Sequence, residues 1–448
     1  MMKNLTSGSP ARLIFFFALP LIAGNMMQQL YSFVDTLIVG RFLGVNALAS
    51  VGCTGSLMFL ALGFIMGFCT GITIYTGQRF GAMDAEGVRR SAAACILLGI
   101  LTALLLTAIL LPLTRTLLVL METPPEILDG AEDFIFIIFA GLVIFLLLYL
   151  QNCLVRALGD SMTPTILLAI TLAVNVALEP IAILVLDLGI PGAAGATVLS
   201  QAIGALLFYI YIRQRIPTLC PAWQDWKFDA ALLAAHLRMG LPMGLQSSVI
   251  ALGAIILQVA LNNLGALPVA AYAATQKIDA VAVMPMLSFG YAMAAYTAQN
   301  YGAQQYARIR AGVHACLKMS VAFAVAIGIL LIVFGTYLLA LFVGADAQGA
   351  DEVIAYGQTF LLVNGSAYII LAVLLVYRNV LQGLGQSVIP TIAGAMELIM
   401  RAGAALLLCA PLGFLGACLA NPLAWIGAAI PVVIAYFWTE KTLRCAVP

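Results

Sequence analysis

The sequence predicts an all-α polytopic membrane protein: twelve transmembrane helices in two parallel six-helix repeats that form a V-shaped pair of lobes. Three observations carry this reading. Hydrophobic residues make up 63% of the 448 and charged residues only 9%, where a soluble domain carries about 25% charge. Apolar runs of about 20 residues recur along the whole chain, the length needed to cross a hydrocarbon core of roughly 30 Å. The chain also repeats itself. Residues 75–82 read YTGQRFGA and residues 296–303 read YTAQNYGA, 221 positions later. The same offset pairs Gly44 with Gly265, Arg89 with Arg310 and Gly195 with Gly416. Leu19-Pro20 returns as Leu241-Pro242, and Leu158-Gly159 with Ser161 returns as Leu384-Gly385 with Ser387. The apolar runs are continuous rather than alternating, which excludes a β-barrel. A bundle folded twice in a membrane is the architecture of a secondary transporter.

In chain order, the first span covers 13–38. The twelve residues before it hold no small-residue cleavage site, so this span is expected to stay in the protein. Spans 2 to 4 cover 46–75, 92–113 and 132–152, with turn chemistry from Met121 to Pro125 (METPP) between the last two. Spans 5 and 6 cover 164–186 and 193–213, divided at Leu188 to Gly192 (LGIPG). Residues 214–237 carry Trp223, Trp226, Lys227 and an Ala/Leu-rich run. They read as an amphipathic linker on the inner interface, joining an N-terminal lobe (1–213) to a C-terminal lobe (238–448). Spans 7 to 12 cover 239–262, 268–297, 313–342, 353–377, 390–410 and 415–438. Breaks fall at Gly265 to Pro268 (GALP) and Gly344 to Ala347 (GADA).

Basic residues set the orientation. With the N-terminus inside, inner segments hold 16 of the 20 lysines and arginines, Arg378 among them. Outer loops hold only Arg41 and Arg115, and Lys277 and Arg401 fall inside spans. This bias places both termini in the cytoplasm. An even number of spans per repeat then makes the halves parallel, in a multi-pass protein of the cytoplasmic membrane.

Catalytic classes lack their motifs. No lysine follows a glycine, so there is no P-loop. No serine sits in a GxSxG frame. His236 and His314 have no metal-ligand spacing around them. The nine cysteines form no CxxC pair and lie mostly in apolar spans as small hydrophobes. The chain is expected not to be an enzyme and to need no cofactor, metal or nucleic acid. Its expected partners are a small amphipathic molecule and membrane lipid, with the protein acting as a monomer.

Charges inside a membrane are costly and functional by default. Six residues qualify: Asp35, Glu179, Lys277, Asp279, Glu397 and Arg401. Asp35 ends a one-faced polar stripe of Asn25, Gln28, Ser32 and Asp35, roughly 9 Å inside the outer end of its span. Glu179 lies about 12 Å deep in a span running the same way, with Asn175 one turn before it. Thr197 enters span 6 at a comparable depth. Two carboxylates near one level form a candidate proton or sodium site. Glu397 and Arg401 sit four residues apart, a spacing at which they can neutralise each other. Lys277 and Asp279 sit on different faces, so Lys277 is expected to pair across helices with Glu397 or Asp279, or to meet substrate. Gln28, Gln276, Lys277, Asp279, Glu397 and Arg401 make up the candidate substrate and second-lobe polar set. The first lobe contributes a net −2 and the second cancels, which favours cationic substrates.

These residues also resemble a known family, the multidrug and toxic compound extrusion (MATE) transporters, along essentially the whole chain. The resemblance rests on QLYSFVDTLIVG from Gln29 to Gly40, GQRFG from Gly77 to Gly81, RALGD from Arg156 to Asp160, and NVALEP from Asn175 to Pro180. It implies two six-helix lobes and the extrusion of amphipathic, often cationic, compounds in exchange for H⁺ or Na⁺. Carried over by position, Asp35, Asn152, Asn175, Glu179 and Thr197 match the family's first-lobe cation site. Pro20 matches the proline at which helix 1 bends in some relatives. The fifth-helix acid here is Glu where relatives commonly carry Asp, and the helix 7 acid of some members is absent. By span count Asn152 falls near the inner end, away from Asp35. The alternative is a flippase for lipid-linked saccharides, which needs several cations for a pyrophosphate where only Lys277 and Arg401 are available.

Overall fold

The computed structural model describes residues 4–226, 229–343 and 349–445. It is built from helices: α1 (Pro10–Gly81), α2 (Ala85–Leu120), α3 (Pro125–Ala140), α4 (Leu142–Ala157), α5 (Met162–Pro180) and α6 (Gly189–Arg215), then α7 (Ala230–Asn262), α8 (Ala266–Gly302), α9 (Tyr306–Val343), α10 (Ala350–Gly383), α11 (Val388–Leu412) and α12 (Phe414–Cys445). Ten of these are long and apolar enough to cross a membrane, or eleven if α3 and α4 count as one bent span. In hydrocarbon every backbone polar group must be satisfied within the segment, which is why apolar runs this long adopt helices.

Most span boundaries extend beyond the apolar run by several residues, because polar end turns continue the helix. Two deviations are physical. α1 is 72 residues long, about 108 Å of helix at 1.5 Å per residue, too long for one crossing. It is two helices run together across Gly44 (φ 87, ψ −177), a backbone region in which only glycine is unstrained. Span 4 is likewise a pair, α3 and α4, bent by 50°. Gly141 sits at the bend, where a Cβ would lie 2.8 Å from Val198 Cγ2. α5 runs into a π-helical turn, Ile181–Val185, before α6 begins. The break expected at 344–347 lies outside the described residues, as do Lys3 and Lys227.

Left-handed backbone positions recur through the chain. Gly44 (φ 87) is matched by Gly265 (φ 101), Met83 (58) by Gln304 (56), Gly159 (88) by Gly385 (85), and Gly189 (60) by Gly413 (58). The last pair aligns LGxxGA from Leu188 with LGxxGA from Leu412. Gly416 therefore corresponds to Gly192, not to Gly195 as the 221-residue offset implied.

Two compact units form: Pro20–Leu245 in one, and Leu5–Leu19 with the chain from Gln246 onward in the other. The chain changes unit at Pro20 and again three residues after Pro242, so the first turns of α1 and of α7 belong with the opposite half of the sequence. The core of the first unit is apolar, including Ile65, Phe68, Ile72, Leu98, Leu146 and Phe208. Residues 230–237 are the first two turns of α7 rather than a separate interfacial helix. His236 is buried there, bonded to Ser91 Oγ (2.8 Å) and Leu232 O (2.8 Å). Asp225 joins the same face through Arg89 (3.4 Å), while Trp223 is 94% exposed. In the second unit the Leu5 backbone is pinned by Gln299 Oε1 (3.0 Å) and Asn300 Nδ2 (3.1 Å). Small residues let α9 and α10 touch, since a Cβ on Gly328 would fall 2.6 Å from Gly365 O.

Asp160, in the turn before α5, holds that helix in place. Its Oδ1 accepts from the backbone N of Met162 (3.1 Å) and Thr163 (3.0 Å), and its Oδ2 from Thr163 Oγ1 (2.8 Å) and Tyr211 Oη (3.1 Å). Burial pushes the carboxyl up, but these bonds outweigh it and hold it below its ordinary range. A depressed carboxyl contributes stability above its unfolded value, and that stability is lost as pH falls through the folded one. Asp160→Asn should therefore lower the melting temperature of the purified protein at pH 7. The gap to wild type should shrink as the pH drops below about 4, and a gap that stays constant with pH would show that Asp160 acts by shape alone.

Candidate functional site

Among the described residues, two polar clusters hold the acids of the spans. The first lies where α1, α5 and α6 meet. α5 places Asn175 and Glu179 on one face, one turn apart, and Glu179 is wholly buried at 0% exposure. The carboxyl groups of Asp35 and Glu179 face one another within interaction range. Tyr31, one turn before Asp35, donates its hydroxyl to Asp35 Oδ1 (3.3 Å) and lies beside Thr197. Asn175 Nδ2 donates to Thr197 Oγ1 (3.2 Å) and Ser200 Oγ (3.2 Å). The result is a surplus of acceptors. Both carboxylate oxygens of Glu179 and Asn175 Oδ1 are buried with no hydrogen-bond partner. Two facing carboxylates with unbonded oxygens, in surroundings of low dielectric, repel strongly unless a cation or a proton lies between them. The donor set is all oxygen, as a proton or a hard cation requires.

The expected residues divide accordingly. Asp35, Asn175, Glu179 and Thr197 come together. Asn152 is buried in α4 and hydrogen-bonds to none of them. Gln28 is exposed on α1, so of the polar stripe it is Asp35 that meets Glu179. Tyr31 and Ser200 were missed, although their spacing from Asp35 and Thr197 puts each on the same helix face.

The second cluster holds α8, α10, α11 and α12 together. Glu397 on α11 accepts from Arg401 Nη2 (3.0 Å) on its own helix and from Arg378 Nη2 (2.8 Å) on α10. Arg401 Nε donates to Asn421 Oδ1 (3.1 Å) on α12. Asp279 accepts from Tyr368 Oη at 2.6 Å. Gln276 and Arg401 both lie near Tyr272. Glu397 and Arg401 thus pair as their spacing predicts.

Two expectations need correction. Lys277 pairs with neither Glu397 nor Asp279: it is exposed on α8, while Asp279 is taken by Tyr368 and Glu397 by two arginines. Arg378, counted with the inner loops, is instead buried at 7% exposure, because α10 continues past the apolar run to Gly383. With Arg378 added, the six charges first assigned to the spans become four acids against three bases, a net −1 rather than −2. The negative excess sits wholly in the first unit.

A polytopic helical protein with an unsatisfied acidic site in its interior belongs to the class of membrane transporters. The MatE family model matches residues 20–181 and 242–407, and the chain belongs to this multidrug and toxic compound extrusion family. It is a transporter, not an enzyme. It is 28% identical over 360 residues to the probable multidrug resistance protein YpnP of Bacillus subtilis, covering 80% of this chain and 79% of that protein. It is 25% identical to the probable multidrug resistance protein NorM of Thermotoga maritima, covering 84% and 80%. The fold matches a multidrug resistance MATE family transporter solved in an outward-facing conformation, with a TM-score of 0.90, 22% identity, and 99% and 98% of the two chains covered.

The Glu397 bridge makes a direct test of the second cluster. Removing one partner from a buried ionic network leaves uncompensated charge and costs about 3–5 kcal/mol. Glu397→Gln should therefore melt well below wild type in detergent, and a superimposable melting curve would show that the two guanidinium groups do not depend on it.

Proposed function

We propose that this protein is a cation-coupled antiporter that exports amphipathic compounds, cationic ones preferred, across the cytoplasmic membrane in exchange for H⁺ or Na⁺. Its twelve crossings form two related six-helix halves with both termini in the cytoplasm. The observation that carries this reading is Glu179, wholly buried with both oxygens unbonded and facing Asp35. Such a pair is unsatisfied until a proton or Na⁺ joins it.

The coupling follows from charge and from one hydrogen bond. With the pair empty, its two carboxylates carry two negative charges and attract a cationic substrate. Taking up a proton or Na⁺ removes one of them and weakens that attraction. The same event bears on α1, because Asp35 belongs to it and Thr165 of α5 donates to the Pro20 carbonyl at 2.9 Å. Pro20 lacks the N–H that would bond one turn back, so α1 yields most easily there. It is also the residue at which the chain passes from one compact unit to the other. An ion bound between α1 and α5 thus biases the bend of α1 at Pro20.

The test is transport in proteoliposomes under a proton gradient and under a sodium gradient, imposed separately, with ethidium or tetraphenylphosphonium as substrate. Wild type should export under at least one gradient. Asp35→Asn, a fixed neutral mimic of the loaded state, should abolish gradient-driven export at normal expression, and should weaken binding of cations more than of neutral ligands. Glu179→Gln should behave alike, and Glu179→Asp should keep partial activity. Wild-type rates in Asp35→Asn would sink the assignment, and affinity for anionic compounds alone would overturn the substrate preference.

A further inference from the structure

The left-handed positions Gly159 and Gly385, and Gly189 and Gly413, fix which residues of the two halves correspond. In that register Asn152 corresponds to Arg378, Thr171 to Glu397, Asn175 to Arg401, Glu179 to Ala405 and Thr197 to Asn421. One hydrogen bond is kept: Asn175 Nδ2 to Thr197 Oγ1 in the first unit, Arg401 Nε to Asn421 Oδ1 in the second. The chemistry around it is inverted. The first unit presents buried acceptors with no donor. The second presents donors with too few acceptors.

Two guanidinium groups offer ten N–H donors, and three hydrogen bonds use them, two to Glu397 and one to Asn421. Arg378 Nε is buried with no partner. The two arginines share one carboxylate, so the ion-paired trio of Arg378, Glu397 and Arg401 carries one positive charge in excess, in a place nine-tenths buried. Asp279, the other buried acid of this unit, gives its bond to Tyr368 and forms no ion pair with either arginine. A surplus of one charge and several fixed donors is the complement of a single carboxylate, which an arginine fork binds in two parallel hydrogen bonds. A phosphate, at about −1.5 to −2, would overcompensate. The surroundings are aromatic: Tyr272 lies beside Arg401 and packs edge-on to Phe360 at 5.6 Å, while Tyr368 packs against Trp425 at 6.2 Å.

We propose that Arg378 and Arg401 form an oxyanion-binding site in the second unit that takes the carboxylate of an amphipathic acid. The site is independent of the coupling pair, and a substrate carrying an acid group gains a hold that the first unit cannot give it.

The test is calorimetric titration of the purified full-length protein in a neutral detergent, at fixed ionic strength. The probes are dodecanoate, dodecyltrimethylammonium with the same tail, and inorganic phosphate. Wild type should bind dodecanoate. Arg378→Gln leaves Glu397 and Arg401 as a neutral pair, so it should fold, and should weaken dodecanoate about tenfold or more while dodecyltrimethylammonium is unaffected. Arg378→Lys, which keeps the charge but loses the fork, should fall between. Binding in detergent needs no gradient, so this outcome stays readable if the coupled-transport reading fails. No binding of dodecanoate to wild type, or equal affinity in both variants, would overturn the proposal. Phosphate binding as tight as dodecanoate, and lost in Arg378→Gln, would overturn the amphipathic occupant.

Discussion

Water is missing from the interior of a bilayer, and the rest of this structure follows from that lack. Backbone groups must find partners within their own helix, so the chain is helical nearly throughout. Side-chain charges must find a partner too, and where they do not, the deficit marks a place for something else. Glu179 is the clearest case. An acid at 0% exposure, facing a second carboxylate and with no donor on either oxygen, is costly to bury. On the proposed antiport, the group that satisfies it is the coupling ion. Glu397 is the opposite case, because both its oxygens are taken by arginines and it has no capacity left for a mobile cation.

α5 joins the site to the proline-bearing part of α1. It supplies Asn175 and Glu179 near its end and Thr165 near its start, where the Thr165 hydroxyl holds the Pro20 carbonyl. On the proposed antiport, a shift of Asp35 relative to Glu179 would act on a helix that lacks one backbone bond at Pro20 and is held at that residue by Thr165. The proposed coupling by this route needs no long chain of contacts. It needs one rigid helix touching α1 at two points, one of them charged.

Much of this was legible in the sequence, and the exceptions share a cause. The spans could be read because apolar length is a local property, and Asp35, Glu179, Asn175 and Thr197 because polar residues on an apolar face stand out at helical spacing. Arg378 escaped because one residue past an apolar run reads as a loop, whereas α10 carries on for another turn and a half. The partner of Lys277 was misjudged for a different reason. Depth can be counted along a helix, but competition for an acid depends on which neighbours reach it first, and Tyr368 reaches Asp279 from 89 residues away in sequence. Gly141, which bends the fourth span, carries no local signal beyond being glycine. The constraint on it comes from Val198, on another helix.

The two halves show what such a scaffold holds fixed and what it leaves free. Positions of unusual backbone stay the same: a glycine with φ near +90° and ψ near 180° opens the second helix of each half, and others turn the chain at the same places. Changing these would move whole helices, since no other residue adopts that backbone without strain. The inward polar positions carry no such burden. Asn175 and Arg401 occupy the same turn of corresponding helices and make the same bond to the next helix, yet one adds acceptors to its surroundings and the other adds charge. The electrostatics of each half can change sign while the fold stays put, because the bond that orients the side chain is separate from the atoms that face a ligand. A net charge summed over both halves therefore describes neither site.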